Sequence, residues 1–162
     1  MSIRDEIRDG VLGAKSFYDA NYLTPGLYLL EIERIKFGAD RHQMKFFVVE
    51  FKVLESSNQK MRPGSHADYM VKFNKDAAWG NVKNFMKAAL ENLQVQNGGP
   101  FEQIELTAER YDICSREINN PLLGTKIVAD AYNHDTAEGK PFTRVKWTHF
   151  DPAAKWTKIE AA

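Results

Sequence analysis

Thr24-Pro25-Gly26-Leu27-Tyr28-Leu29-Leu30-Glu31-Ile32-Glu33-Arg34-Ile35-Lys36-Phe37 is the stretch from which the fold can be read. Pro-Gly marks a turn, and the residues after it are rich in strand formers. Tyr28, Leu30 and Ile32 share one face at period two, whereas Ile35 and Phe37 fall on the opposite one. One extra residue around Glu33-Arg34 reconciles the phases, which is what a β-bulge supplies while it bends the strand. A bent first strand suits a barrel better than an open α+β sheet, the alternative that the same pattern permits.

The flanking segments extend this reading. Residues 45–54 alternate, with Phe47, Val49, Phe51 and Val53 toward a core and Phe46, Val48, Glu50 and Lys52 away from it. After a polar loop containing Pro63-Gly64, the residues Ala67, Tyr69, Val71 and Phe73 alternate with His66, Asp68, Met70 and Lys72 as a third strand. The period then lengthens. Trp79, Val82, Phe85, Met86, Ala89, Leu90 and Leu93 recur at helical spacing, with Asn74 or Asp76 as cap and Asn97-Gly98-Gly99-Pro100 as stop. A second, shorter helix from 108 to about 117, capped by Thr107, carries Ala108, Tyr111, Cys114 and Ile118 on one stripe. Residues 126–132 and 142–150 read as a closing hairpin, with Ile127, Ala129, Ala131, Val145 and Trp147 inward.

This order predicts a mainly β chain with inserted helices. More finely, it predicts a five-stranded, antiparallel, OB-like barrel with one helix between strands three and four and a second short helix after it. The expected organisation is a flexible or helical N-terminal arm over 1–21, the OB-like domain over 22–150 and a C-terminal tail over 151–162. Ile3, Ile7 and Val11 in the arm stand at helical spacing, and with Trp156 in the tail the two isoleucines offer apolar contacts to a second copy.

Composition narrows the function classes. The chain has 162 residues, 43% of them apolar, which is enough for one packed core. Its single cysteine, Cys114, forms no internal disulfide, and one thiol suits a reducing compartment, so a cytoplasmic protein is expected. The longest apolar runs, such as 27–30, are far shorter than the roughly 20 residues of a membrane span, and the polar start is unlike a secretory signal.

The 22 basic and 22 acidic residues cancel, but not evenly. Residues 33–75 carry nine basic and five acidic side chains, net +4, and residues 126–158 carry six and four, net +2, while the arm and the helical region are acidic. The positive excess therefore lies in the strands. On the outer surface, strands two and three would present Phe46, Lys52, Met70 and Lys72. Flanking segments would add Arg41, His42, Lys45, Tyr132, Lys140, Phe142, Arg144 and Lys146. Interleaved cations and aromatic rings are what sequence-tolerant binding of single strands requires, since phosphates need charge and bases need faces to stack on. The competing reading is a solvated face with edge-protecting lysines.

The run Tyr22-Leu23-Thr24-Pro25-Gly26-Leu27-Tyr28, the segment Phe46-Phe47-Val48-Val49-Glu50-Phe51-Lys52-Val53-Leu54-Glu55-Ser56-Ser57, Pro63-Gly64 and Gly139-Lys140-Pro141-Phe142-Thr143-Arg144-Val145-Lys146-Trp147 together resemble a known family. They resemble small replication-region proteins of tailed bacteriophages, thought to be OB-fold single-stranded DNA-binding proteins. The resemblance covers roughly residues 22 to 150. It implies a phage protein in the host cytoplasm that coats single-stranded DNA during replication or recombination, with phage replication or recombination proteins as partners. Many such proteins end in an acidic, partner-recruiting tail, whereas this chain ends Lys155-Trp156-Thr157-Lys158-Ile159-Glu160-Ala161-Ala162. The alternative is a phage structural or protein-interaction module on the same barrel.

One catalytic pattern competes. Glu50-Phe51-Lys52, about ten residues after Asp40, has the form of a Mg²⁺-dependent nuclease set, in which two carboxylates hold the metal and a lysine assists the attacking water. Such a tripeptide also arises in any amphipathic strand. His42, His66, His134 and His149 lack zinc-type spacing, and no nucleophile elbow or phosphate loop occurs. The expectation is a binding protein that is not an enzyme and needs no cofactor or metal.

Overall fold

The computed structural model describes residues 2–13, 21–135 and 141–150. Five strands, β1 (Gly26–Ala39), β2 (Lys45–Ser56), β3 (His66–Lys72), β4 (Lys126–Asp135) and β5 (Pro141–Thr148), form one antiparallel sheet in the order β3-β2-β1-β4-β5. Helix α1 (Ile3–Gly13) precedes the sheet, α2 (Ala77–Gln96) lies between β3 and β4, and α3 (Ala108–Cys114) follows α2. The chain is mainly β with inserted helices, as its periodicities imply. The sheet is not closed, and β3 and β5 are its two edges.

The bulge falls where the phase change demands it. Ile32 pairs with Phe51 and Arg34 with Glu50, so Glu33 has no counterpart on β2. Tyr28, Leu30, Ile32 and Ile35 are consequently all buried, although simple alternation would turn Ile35 outward. A second irregularity leaves Leu54 of β2 unmatched between Val53, opposite Leu30, and Glu55, opposite Leu29. Two bulges in one long strand pair strengthen its bend and twist, and α2 packs against β3, β4 and β5. Phe47, Val49, Phe51 and Val53 from β2, Val82, Phe85, Met86 and Ala89 from α2, and Ile127 and Ala129 from β4 complete the core.

The turn into β1 is fixed by side chains. The buried Tyr28 hydroxyl donates to the Thr24 carbonyl (2.6 Å) and accepts from Asn58 Nδ2 (2.9 Å), which also reaches Thr24 Oγ1 (2.7 Å). Gly26 suits this place because its φ of 155° is one that side chains rarely adopt, and a Cβ would stand a tight 3.1 Å from Asn58 Cβ. Helix α2 ends at Gln96 with Asn97 as its cap, followed by Gly98, whose φ of 91° is a left-handed conformation that side chains resist.

Two helix expectations need correction. Trp79 is 60% exposed, because Ala78 takes the core-facing place in the first turn of α2 and the indole stacks on Phe73 instead. The stripe assigned to the second helix is not a buried face: Cys114 is buried, but Ala108, Tyr111 and Ile118 are exposed. That helix spans seven residues and ends at Cys114, so Ile118 lies beyond it. Thr107 does cap it, accepting from Arg110 N at 3.2 Å. In α1 the spaced residues Ile3, Ile7 and Val11 are all exposed. The tail and Trp156 lie outside the described residues.

Replacing Tyr28 with Phe removes the donor to Thr24 and leaves the Asn58 amide short of an acceptor. A loss of about 1–2 kcal/mol in urea unfolding is expected for this variant, and an unchanged midpoint would show that the hydroxyl is not part of the turn's lock.

Candidate nucleic-acid interface

A cleft of about 1000 Å³ separates the two sheet edges. Its sides are strand edges with backbone groups turned toward it. Asp68 exchanges hydrogen bonds with the segment before β1 (Asp68 N to Asn21 O, 2.9 Å; Leu23 N to Asp68 O, 3.1 Å), so its peptide groups face away from β2. Strand parity turns those of Met70 and Lys72 the same way. On β5, the Thr148 carbonyl accepts from Asn92 of α2 (3.3 Å), and parity directs the peptide groups of Lys146 and Arg144 away from β4.

Aromatic rings lie along the inner side of the cleft. Trp147 of β5 meets Tyr69 of β3 edge-on at 5.0 Å between centroids, and also packs on Phe85 at 4.9 Å and Phe51 at 5.6 Å. The edges thus meet through rings. Burial pushes the Tyr69 phenol up to about 12, while its interaction with the Trp147 indole pulls the other way. The third wall is the polar side of α2, where Asn81, Asn84, Ala88 and Glu91 repeat at intervals of three and four residues. At 1.5 Å per residue, the helix from Ala77 to Glu91 runs roughly 21 Å along the cleft.

Charge gathers at this place. Lys72, Lys75, Lys87, Arg144 and Lys146 line the cleft, against one carboxylate, Glu91, which accepts the Ile104 N–H at 3.1 Å. Two of these cations come from the basic segment 33–75 and two from the segment 126–158. The sequence-expected residues that line the cleft are Met70, Lys72, Tyr132, Arg144 and Lys146. Met70 is half-buried, with the Tyr22 hydroxyl 3.7 Å from its sulfur. Tyr132 stands opposite Arg144 in the ladder.

The other expected residues are distributed differently. Phe46 is the register partner of Lys72 and lies across Gly38, where a Cβ would come within 2.8 Å of its ring. Lys45 precedes it, and Arg41 and His42 occupy the exposed β1–β2 turn. These four extend the basic surface past the cleft along the end of β2. Lys52 does not join them: it pairs with His66 and Glu31 at the opposite end of β2, roughly 20 Å from Phe46 at 3.3 Å per residue. Phe142 pairs with His134 through its backbone, while its side chain and all of Lys140 lie outside the described residues.

Residues missed from the sequence are Asn74, Lys75, Asn81, Asn84 and Lys87, together with the rings of Tyr69 and Trp147. Helical periodicity identifies the apolar side of α2 but says nothing of what the polar side confronts. Alternation places Tyr69 and Trp147 on the core side, and they serve as core and cleft lining at once.

Asp40 stands apart from Glu50 and Lys52, the other residues of the nuclease pattern. The Asp40 carboxylate accepts from Met44 N (3.0 Å) and His42 N (2.8 Å), and these bonds, the Met44 one foremost, hold its pKa below the ordinary value. Glu50 stands five register positions along β2 from the strand's start and faces Arg34 at 3.7 Å. No cluster of His, Cys, Asp and Glu able to hold a metal occurs among the described residues. Cys114 is buried, and burial raises its thiol pKa, which lowers the thiolate fraction. No helix among the described residues is long and apolar enough to cross a membrane. No protein-family model matches the chain, and no curated protein matches it in sequence.

The raised pKa of Tyr69 makes an alkaline prediction. The folded protein favours the neutral phenol, so this contribution to stability is fully present below the ordinary value of 10.0 and is lost as pH rises toward about 12. Tyr69→Phe has no proton to lose. Urea unfolding measured at successive pH values should therefore fall less steeply over that window in the variant, and identical curves would contradict the assignment.

Proposed function

We propose that this protein is a non-catalytic single-stranded DNA-binding protein, of phage origin, that coats single strands during replication or recombination. The observation that carries the reading is the cleft itself. Two basic segments far apart in sequence converge there on either side of aromatic rings. Cations along both strand edges meet phosphates, the exposed Tyr132 offers a face to a base, Tyr69 and Trp147 give the cleft an apolar aromatic lining, and the amides of Asn81 and Asn84 can donate to or accept from base edges without demanding one sequence. A net charge of zero limits the long-range attraction for duplex, so single strands are retained by local contacts.

The finer fold reading belongs to the same proposal. The strand order β3-β2-β1-β4-β5, with a helix between β3 and β4, supports an OB-like barrel opened along the seam between β3 and β5. In that fold the strand two–three surface and the loops after strands one and four are the customary binding surface, which brings Arg41, His42, Lys45 and Phe46 beside the cleft. The phage assignment rests on the sequence resemblance, and the proteins of the same replication or recombination reaction are the partners it implies. The exposed stripe Ile3, Ile7 and Val11 of α1 favours a second reading, an interaction module of a phage built on the same sheet.

Titration of a fluorescent oligothymidylate against several salt concentrations separates the two readings. Five cleft cations each neutralising one phosphate give a slope of log K on log salt of about −3.5, and Lys72→Ala or Arg144→Ala should each reduce its magnitude by about 0.7. Single strands should bind more tightly than duplex of the same length. Absence of salt-sensitive binding at micromolar protein leaves the interaction module standing.

A further inference from the structure

Residues 72–83 separate two concavities. Lys72, Asn74, Lys75, Ala77 and Ala78 line the basic cleft. Phe73, Trp79, Val82 and Lys83 turn to the other side, where with Phe37, Leu106 and Tyr111 they enclose a hollow of about 230 Å³.

The hollow is built around a rigid ring pair. Trp79 lies 4.4 Å from Phe73 with the planes inclined by 21°, a stacked arrangement, and Phe73 packs in turn against the core. The indole is thereby held in place although 60% of the residue is exposed. Phe37, whose ring lies 4.9 Å from that of the buried Phe47, anchors the wall opposite, 6.0 Å from Tyr111. A large flat ring fixed in water has its ordering cost met before any ligand arrives, which is the condition under which stacking adds most to affinity.

We propose that this hollow is a second base-stacking subsite, filled by a nucleobase of the same single strand that crosses the cleft. The inference rests on the cleft being the single-strand site. Continuity supports it: the wall is shared, and a strand leaving the cleft over Lys75 passes the start of α2 and reaches Trp79 within one helical turn. The chemistry supports a base over a phosphate. The hollow's lining is apolar except for Lys83 and the Tyr111 hydroxyl, and the exposed acids Asp76, Glu109 and Asp112, close in sequence to its lining residues, favour an uncharged ring over a phosphate inside it. Lys83 on the rim can meet the phosphate on either side of the stacked base.

The test uses two oligothymidylates, one of about four nucleotides that occupies the cleft alone and one of about ten that also reaches the hollow. Wild-type, Trp79→Ala and Trp79→Phe proteins are titrated with each, and their thermal unfolding is compared to verify folding. Trp79→Ala should bind the short oligomer as the wild type does and the long one about tenfold more weakly, which is the worth of one stacked base. Trp79→Phe should keep most of the long-oligomer affinity. Equal binding of both oligomers by Trp79→Ala and wild type overturns the subsite while leaving the cleft intact, and the hollow is then left for an apolar side chain of a protein partner. An equal loss at both lengths also overturns it, because Trp79 then acts through the fold. Failure of the wild type to bind either oligomer removes the cleft reading and the subsite with it.

Discussion

The packing of Trp147 against Tyr69, Phe51 and Phe85 is the constraint on which the rest of the molecule depends. Two sheet edges that share no hydrogen-bonded ladder are brought together by rings from β5, β3, β2 and α2. Ring contacts tolerate a gap that backbone pairing would close, and the cleft is that gap. Asn92 fixes the far end: buried in α2, it accepts the Phe150 N–H at 2.7 Å and donates to the Thr148 carbonyl. Asn21 to Leu23 fix the other side by pairing with Asp68. Each strand edge is covered at one end, and the cations stand further along it.

Zero net charge is informative only once it is divided. Two lysines from the segment 33–75 and two basic residues from the segment 126–158 meet across the cleft, and α2, in an acidic part of the sequence, contributes Lys87. The acidic side chains of that region are elsewhere or engaged, as Glu91 is by the Ile104 N–H and Glu117 by Arg34 at 3.4 Å. Folding therefore produces a local field that composition hides. Its range is short, about 8–10 Å in physiological salt, so it acts on what enters the cleft and little on what passes by.

The strands were legible because period two and turn residues are local signals. The bulge at Glu33 was legible for the same reason: a phase error between Ile32 and Ile35 has few physical remedies in a strand. Long α2 could be read from its apolar spacing and its glycine stop. The errors share a cause. Helical spacing of apolar residues carries Trp79 and Ile118 inward without marking where each helix's core face begins and ends, and outward direction groups Lys52 with Lys72, although face does not determine position along a strand. The cleft needs the seam between β3 and β5, a relation between distant segments. No local pattern encodes that Lys87 and Arg144 line one cleft.

The two readings of the basic strand residues, edge protection and phosphate contact, are not rivals in this architecture. An exposed strand edge invites pairing with another chain, and charged side chains suppress it by making close approach of a second, similar edge repulsive. The same repulsion becomes attraction for a polyanion, whose phosphates neutralise the lysines while its bases fill the space that a pairing strand would take. Lys72 and Lys146 line the cleft from opposing edges, so like charge disfavours zipping the seam shut. The open seam and the proposed affinity for single strands then draw on one arrangement of charge, and the Trp147 cluster bridges the two edges.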